Sequence, residues 1–248
     1  MFFKMTKEKI SILIPAFNEE DKILLTIKET INVFDKIDYD YEIVIIDDGS
    51  IDGTYKIVQE NLNFFSGRVK IERYKPNAGK GCAIKYGFDF VSGDYVLFLD
   101  ADLDLHPSQI INFLKLMEDN KADLVMGSKR HKDSIVNYPN SRKFISNGYY
   151  LLIKILFGLP VKDTQTGFKL FRYEALKNSI SRIIVKRYAF DLELLVVLHK
   201  LGYKIIEGPI YLKPTRAYYN RIGLKAVYDT LIDTLAIFYR LKIKRFYD

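Results

Sequence analysis

Carboxylates stand at alternate positions in Asp100-Ala101-Asp102-Leu103-Asp104. If the chain stays extended there, alternation points all of them to one side. Such a cluster repels itself unless a cation relieves it. A hard divalent ion suits these oxygen donors, and Mg²⁺ is commonly held by one or two carboxylates together with substrate phosphates. Asp104 serves equally well as a cap for the helix that Pro107 opens. Asp47-Asp48, followed by Gly49-Ser50, could accept hydrogen bonds from a base or ribose, although these residue types also make an ordinary turn. In Pro15-Ala16-Phe17-Asn18-Glu19, the glutamate also favours a helix N-terminus.

Basic residues offer the complementary chemistry. Asn77-Ala78-Gly79-Lys80-Gly81 places Lys80 at a glycine-rich helix start, where an anion is favoured. The segment is not a P-loop, because it lacks the spacing and the Ser/Thr after the lysine. Lys129-Arg130-His131-Lys132 and Arg142-Lys143 form a basic zone. Arginine recognises phosphate geometrically, so the zone suits a pyrophosphate or a phosphorylated acceptor as well as a solvated loop.

The elements that must position these residues follow from apolar patterning. Short apolar runs predict strands over 10–15, 41–47, 69–74, 95–99 and 124–127. Helical spacing predicts helices over 19–34, from 52 onward, over 79–90 and over 107–117. Strands alternating with helices imply an α/β fold with a mostly parallel sheet covered on both faces. Ligands of such sheets sit beyond the carboxyl ends of the strands. Asn18-Glu19, Asp47-Asp48 and Asp100-Asp102 all fall at those ends, which makes them the leading site candidates. The second half is less regular, with helices over 142–157, 190–201 and 223–244, an extended run over 166–172 and a strand over 205–212.

Composition narrows the class. The chain has 248 residues, 48% hydrophobic and 28% charged, which fits a folded domain and excludes a disordered chain. A net charge of +7 suggests an anionic partner: nucleic acid, an anionic membrane surface or a phosphorylated substrate. Nucleic acid is disfavoured, because the basic residues form no known binding motif and the acidic strand ends would repel phosphates without a metal. The single cysteine, Cys82, forms no internal disulfide and points to a reducing compartment. It reads as a small residue at a helix start more readily than as a nucleophile. The start lacks a signal-peptide core, and the longest apolar stretch, over 149–161, is too short to span a bilayer and carries Lys154.

The last helix, over 223–244, carries Leu224, Val227, Tyr228, Leu231, Leu235, Phe238 and Tyr239 at helical spacing. Lys225, Asp229, Asp233, Arg240 and Lys244 form the opposite stripe, and basic residues interleave with aromatics to the end. This pattern suits an anionic membrane interface, or packing on its own domain or on a second subunit of a homo-oligomer. The expected organisation is a catalytic domain over 1–215 and this helical segment over 216–248, with no transmembrane helix.

Taken in order, PAFNEE (15–20), IIDDGSIDGT (45–54), NAGKG (77–81) and FLDADLDLHP (98–107) resemble the family 2 glycosyltransferases of GT-A fold. GSKR (127–130), DTQTGFKLFR (163–172) and RYAFDLELL (187–195) resemble the dolichyl- or polyprenyl-phosphate sugar synthases, especially the dolichyl-phosphate glucosyltransferase branch. The resemblance implies a Rossmann-like domain in which Pro15, Ala16, Asn18, Glu19 and Asp47 line the nucleoside pocket, with Asp48 and Lys80 nearby. Asp100 and Ala101 would lie near the nucleotide-sugar, and Asp102 would hold Mg²⁺ or Mn²⁺ with the diphosphate. Asp100 and Asp104 would be further candidates for that metal, although Asp104 stands where the mannosyl branch often has glutamine, a departure from the pattern at this ligand position. Arg130 and Arg142 would contact the donor or lipid phosphate, and Asp163, Gln165 and Lys169 the sugar and acceptor. The implied reaction is inverting transfer of a hexose to a polyprenyl or dolichyl phosphate at the cytoplasmic membrane face. UDP-glucose fits the donor better than a GDP-sugar. The alternative is a soluble family 2 enzyme acting on a sugar or glycan hydroxyl, which would need a carboxylate base. Asp163 and Asp191 are the candidates, and Asp191 also suits the first turn of a helix or a partner for Arg187.

Overall fold

The computed structural model describes residues 7–136, 140–187, 189–213 and 224–248, with side chains from 148 and 226 onward in the helices that begin at 140 and 224. The strands are β1 (Lys9–Ala16), β2 (Asp40–Asp47), β3 (Val69–Arg73), β4 (Tyr95–Phe98), β5 (Leu124–Ser128), β6 (Ile135–Val136), β7 (Lys169–Arg172), β8 (Ile205–Pro209) and β9 (Tyr211–Leu212). The helices are α1 (Ile23–Phe34), α2 (Thr54–Asn61), α3 (Lys80–Gly87), α4 (Ile110–Asn120), α5 (Asn140–Phe157), α6 (Tyr173–Ile180), α7 (Phe190–Lys200) and α8 (Leu224–Lys242).

The central sheet has seven strands in the order β3-β2-β1-β4-β7-β5-β8, and β6 pairs with β9 apart from it. Strand order reverses between β1 and β4, the topological switch where α/β sheets open a ligand crevice. β1, β2 and β4 are buried on both faces, which is why they read as unbroken apolar runs. One core layer, including Leu13, Val44, Phe98 and Phe171, packs under α3, α6 and α7, and the other, including Ile12, Ile45, Leu97 and Phe168, packs under α1 and α4. α1 buries Ile23, Thr26, Ile27, Thr30 and Phe34, the i, i+3, i+4 spacing of a single face. α7 is buried all round from Phe190 to Leu198, so it sits inside the domain.

One expectation gains detail and another needs correction. The extended run at 166–172 becomes β7, which is antiparallel to both β4 and β5, so Lys169 enters the sheet beside Phe98 and Met126. The chain also does not stay extended after β4. Ala101 and Asp102 form a turn, and Leu103 adopts a left-handed φ of 58°. Alternation therefore does not align Asp100, Asp102 and Asp104. Local hydrogen bonds outweigh strand continuation here: Asp102 Oδ1 accepts from the Asp104 amide at 3.1 Å, and Thr26 Oγ1 donates to the Ala101 carbonyl at 2.6 Å.

α8 packs on the domain through Thr234 and Ile237, both fully buried, and through Arg240, whose Nη2 donates to Glu193 Oε1 at 2.8 Å. The boundary expected at 215/216 lies outside the described residues. Among the described residues no helix is long and apolar enough to cross a membrane.

Candidate active site

The site is built where the carboxyl ends of β1, β2 and β4 meet the entry to β7. At β2, Asp47 is fully buried, accepts the Ser50 amide through Oδ1 at 3.1 Å, and stands 2.8 Å from Arg73 Nε through Oδ2. The second contact is an ion pair without hydrogen-bond alignment. Asp48 accepts from Asn77 Nδ2 at 2.8 Å and from the amides of Ala78 and Gly79 at 2.8 and 2.9 Å. These bonds fix the 77–79 loop, a structural task that neither sequence reading of this residue contained. Asn18, at a left-handed φ of 55°, donates its amide to Ser50 Oγ at 2.9 Å and accepts the Ile51 amide through Oδ1 at 3.0 Å. The Glu19 amide donates to Thr54 Oγ1 at 2.8 Å. Pro15 and Ala16 are held in register against Ile46 and Asp47. The loops after β1 and β2 are thus clamped together beside an apolar cleft of about 440 Å³ lined by Phe17, Gly49, Ile51, Lys75, Pro76 and Asn77.

A second group of charges gathers at β4 and β7. Lys80 Nζ donates to Asp100 Oδ1 at 2.5 Å. Removal from water raises the Asp100 carboxyl, but Lys80, Lys169 and Lys129 together bring it below the usual carboxylate range. A Cβ at Gly167 would lie 1.7 Å from Asp100 Oδ2, so only glycine lets the DTQTG segment close onto this carboxylate. Gly81 does a similar job: a Cβ there would meet the Phe190 ring at 2.6 Å, so glycine is what lets α3 approach α7.

Lys169 is fully buried and donates to Asp191 Oδ1 at 2.7 Å and to the Thr166 carbonyl. Burial and the nearby Lys80 lower its pKa, against the pull of Asp191 and Asp163. Asp163 is also buried and accepts the Lys129 amide at 3.0 Å, Thr166 Oγ1 at 2.9 Å and the Gln165 amide at 3.1 Å. Lys129 Nζ lies 3.4 Å from the same carboxylate. Burial raises the Asp163 carboxyl, while Lys129 and the amide donors hold it below the ordinary range.

The structure therefore brings Lys80, Asp100 and Lys169 into one cluster, with Asp163 and Lys129 along the same edge. Arg130 stacks its guanidinium over the Tyr150 ring of α5 at 5.1 Å. Arg142 falls in the part of α5 whose side chains are outside the description. Lys129 and Asp191 take part in this cluster, and Arg73 pairs with Asp47 on the other side of the crevice; neither Lys129 nor Arg73 was singled out as a site residue from sequence. Arg73 gave no signal, since it pairs across the sheet. Lys129 lay within the basic run. Asp191 was weighed as a base, a partner for Arg187 or a helix-start acid; it lies in the first turn of α7 and pairs with Lys169.

Among the described residues no three histidine, cysteine or carboxylate side chains form a ready-made metal cage. Asp102 is partly exposed on the turn after β4, next to the Lys80–Asp100 pair. Its oxygen donors fit an ion that takes most of its remaining ligands from a bound diphosphate and water.

The pattern described as Glycosyl transferase family 2 matches residues 11–180, more than half of the chain. The chain belongs to glycosyl transferase family 2. Within the family it is 33% identical over 250 residues to a dolichyl-phosphate beta-glucosyltransferase of Trichomonas vaginalis, covering 94% of this chain and 75% of the relative. It is 31% identical over 212 residues to the dolichyl-phosphate beta-glucosyltransferase of Dictyostelium discoideum, covering 80% of this chain and 64% of the relative's length. The GT-A fold is shared with the mannosyl-3-phosphoglycerate synthase of Rubrobacter xylanophilus (TM-score 0.72, 18% identity, 95% of this chain and 75% of that one). It is also shared with the glucosyl-3-phosphoglycerate synthase of Mycobacterium tuberculosis, solved with Mn²⁺, UDP-glucose and phosphoglyceric acid (TM-score 0.66, 22% identity, 94% and 79%).

Proposed function

We propose that this family 2 enzyme transfers glucose from UDP-glucose to a polyprenyl or dolichyl phosphate at the cytoplasmic face of a membrane. The observation that carries this reading is the state of the two carboxylates that could serve as a general base. Asp163 is held below the usual range by Lys129 and the surrounding amides, and Asp191 is committed to Lys169. A sugar hydroxyl needs a base to take its proton, whereas a phosphate monoester is already ionised at neutral pH. The site therefore favours an acceptor that brings its own anionic oxygen. The names of the relatives point to the same acceptor class and to glucose.

In this reading the apolar cleft beside Phe17 and Pro76 receives the base, with Asn18 and Asp47 at the ribose. Asp102 would hold Mg²⁺ or Mn²⁺ with the donor diphosphate, and the ion would supply Lewis-acid neutralisation of the leaving group. Lys80 adds its own positive charge on the same side, fixed in place by Asp100. The acceptor phosphate lies toward Lys129 and Arg130, with Lys169 buried behind them, and Arg142 is the further arginine expected there from the sequence. One of its oxygens attacks the anomeric carbon while the bond from that carbon to the UDP oxygen breaks, inverting the centre. The electron pair leaves on UDP and no proton transfer is needed. A donor-by-acceptor screen tests this, with UDP-glucose and GDP-mannose against polyprenyl phosphate and simple glycans. Glucosyl-phosphoprenol formed from UDP-glucose is the expected product. Glycan glucosylation without lipid product would overturn the reading.

A further inference from the structure

α8 docks through a narrow face and leaves much of its apolar surface uncovered. Thr234 and Ile237 are fully buried, Arg240 reaches the buried Glu193, and Thr234 Oγ1 lies 3.1 Å from Tyr149 OH of α5. Its apolar stripe turns outward, leaving Tyr228 63% and Leu231 and Leu235 more than 40% exposed, with Tyr239 beside them. α5 continues the same outward character at Leu151 and Ile155, the latter 72% exposed. The two helices are joined by the Tyr149–Thr234 contact and by the Phe157 and Phe238 rings, 6.2 Å apart. They therefore present exposed apolar side chains from one packed unit. Lys154 on α5 and Lys242, Lys244 and Arg245 at the end of α8 are exposed around them. Asp229 lies off the stripe by helical spacing, and Asp248 is paired with Lys200 at 2.6 Å.

We infer that the outward faces of α5 and α8 form one composite seat for an anionic membrane surface. Apolar side chains bordered by lysine, with tyrosines placed for the headgroup level, match an interface that is greasy below and negative above. A second copy of the chain would set these lysines against their own kind. The seat is held in fixed relation to the catalytic edge. Glu193 binds Arg240 and also accepts the amides of Ile184 and Val185 at 2.8 and 2.7 Å, and two residues earlier in α7 Asp191 holds Lys169. On the other side Tyr150 of α5 lies under Arg130. The inference builds on the lipid-acceptor reading: a phosphate whose tail stays in the bilayer is presented to Lys129 and Arg130 by the helices that sit on that bilayer.

The test is flotation of the full chain with vesicles of phosphatidylcholine alone or mixed with phosphatidylglycerol. Binding is expected to the mixed vesicles and to weaken with salt. Leu231→Glu with Leu235→Glu should lower binding by about tenfold or more, at unchanged melting temperature. Leu151→Glu with Ile155→Glu should lower it several-fold, which a seat made by α8 alone would not. Both double variants should still glucosylate a short, water-soluble polyprenyl phosphate. Failure of the wild-type chain to bind, or undiminished binding by the variants, overturns the seat. So does a dimer in light scattering that the same substitutions convert to monomer. Vesicle binding without turnover of any polyprenyl phosphate would defeat the lipid-acceptor reading and leave the seat standing; turnover of the short acceptor without vesicle binding would do the reverse.

Discussion

The two sides of the crevice use acidic residues differently. On the β1–β3 side, carboxylates are spent largely on backbone: Asp48 on the amides of Ala78 and Gly79, Asp47 on Ser50, and Asp52 on Thr54. On the β4–β7 side they are spent on ammonium groups: Asp100 on Lys80, Asp191 on Lys169, and Asp163 partly on Lys129. The first arrangement shapes loops and leaves an apolar cleft. The second stores Lys80 and Lys129 at an edge where anionic groups can compete for them, with Lys169 buried behind. Rigid shape on one side and exchangeable charge on the other are what the proposed nucleoside pocket and phosphate-transfer edge would respectively require.

The sharpest way to break this comparison is to remove a stored lysine. Lys169→Met leaves Asp191 without its partner inside the domain and should cost about 3–5 kcal/mol in urea unfolding, as for other broken buried pairs. Lys80→Met removes the partner of a carboxylate with a third of its side chain exposed, and should cost far less stability while slowing turnover. Equal stability losses from the two would erase the distinction between them. Asp102→Ala should reduce kcat by about a hundredfold or more with little change in unfolding midpoint, since the side chain is on a turn rather than in a clamp. Unchanged turnover of this variant in the presence of a chelator would remove Asp102 from the chemistry.

On the loop-shaping side, the effects should fall on stability and on pH. Glu42 is buried, accepts Ser11 Oγ and the Ser92 amide at 2.7 Å each, and is also bonded by Lys70. Burial raises its carboxyl, yet these donors carry it down to about 2 from an ordinary 4.5. A folded value below the unfolded one stabilises the protein above pH 4.5, and that contribution is lost as pH falls toward 2. The loss should amount to about 3 kcal/mol, and Glu42→Gln should flatten this part of the acid unfolding curve. The smallest expected effect is that of Asp48→Asn. It weakens the charge-assisted bonds to the 77–79 loop and should cost about 1–2 kcal/mol. Its KM for the proposed donor, UDP-glucose, should rise more than its kcat falls. A kcat loss as large as that of Asp102→Ala would place Asp48 with the exchangeable charges instead.

Much of the framework was legible in the sequence. The runs at 10–15, 41–47 and 95–99 are strands because central parallel strands are buried on both faces, and their acidic ends mark the crevice by topology alone. What was not legible depended on contacts far apart in the chain. Lys169 and Asp191 are 22 residues apart, and Lys129 and Asp163 are 34 apart, with no periodic pattern linking either pair. The turn at Ala101–Asp102 is drawn in by Thr26, 75 residues away, so strand alternation misjudged the acidic triplet. In α8 periodicity could not say which face the domain would claim, and the residues buried there, Thr234 and Ile237, belong to neither expected stripe. A buried acid, Glu193, decides that by taking Arg240.

The placement of β7 has a consequence for how the chain acquires its shape during synthesis. β4 and β5 are adjacent in sequence but are not neighbours in the sheet, because β7 lies between them. As the polypeptide emerges from the ribosome, β1 to β4 can assemble with their helices, but the edge of β4 stays unpaired until residues 169–172 arrive. β5 and β8 must wait for the same four residues before joining the sheet. An uncovered, apolar strand edge invites pairing with other chains. Late insertion of one short strand therefore makes completion of the catalytic edge and protection from aggregation a single event in the life of the nascent protein.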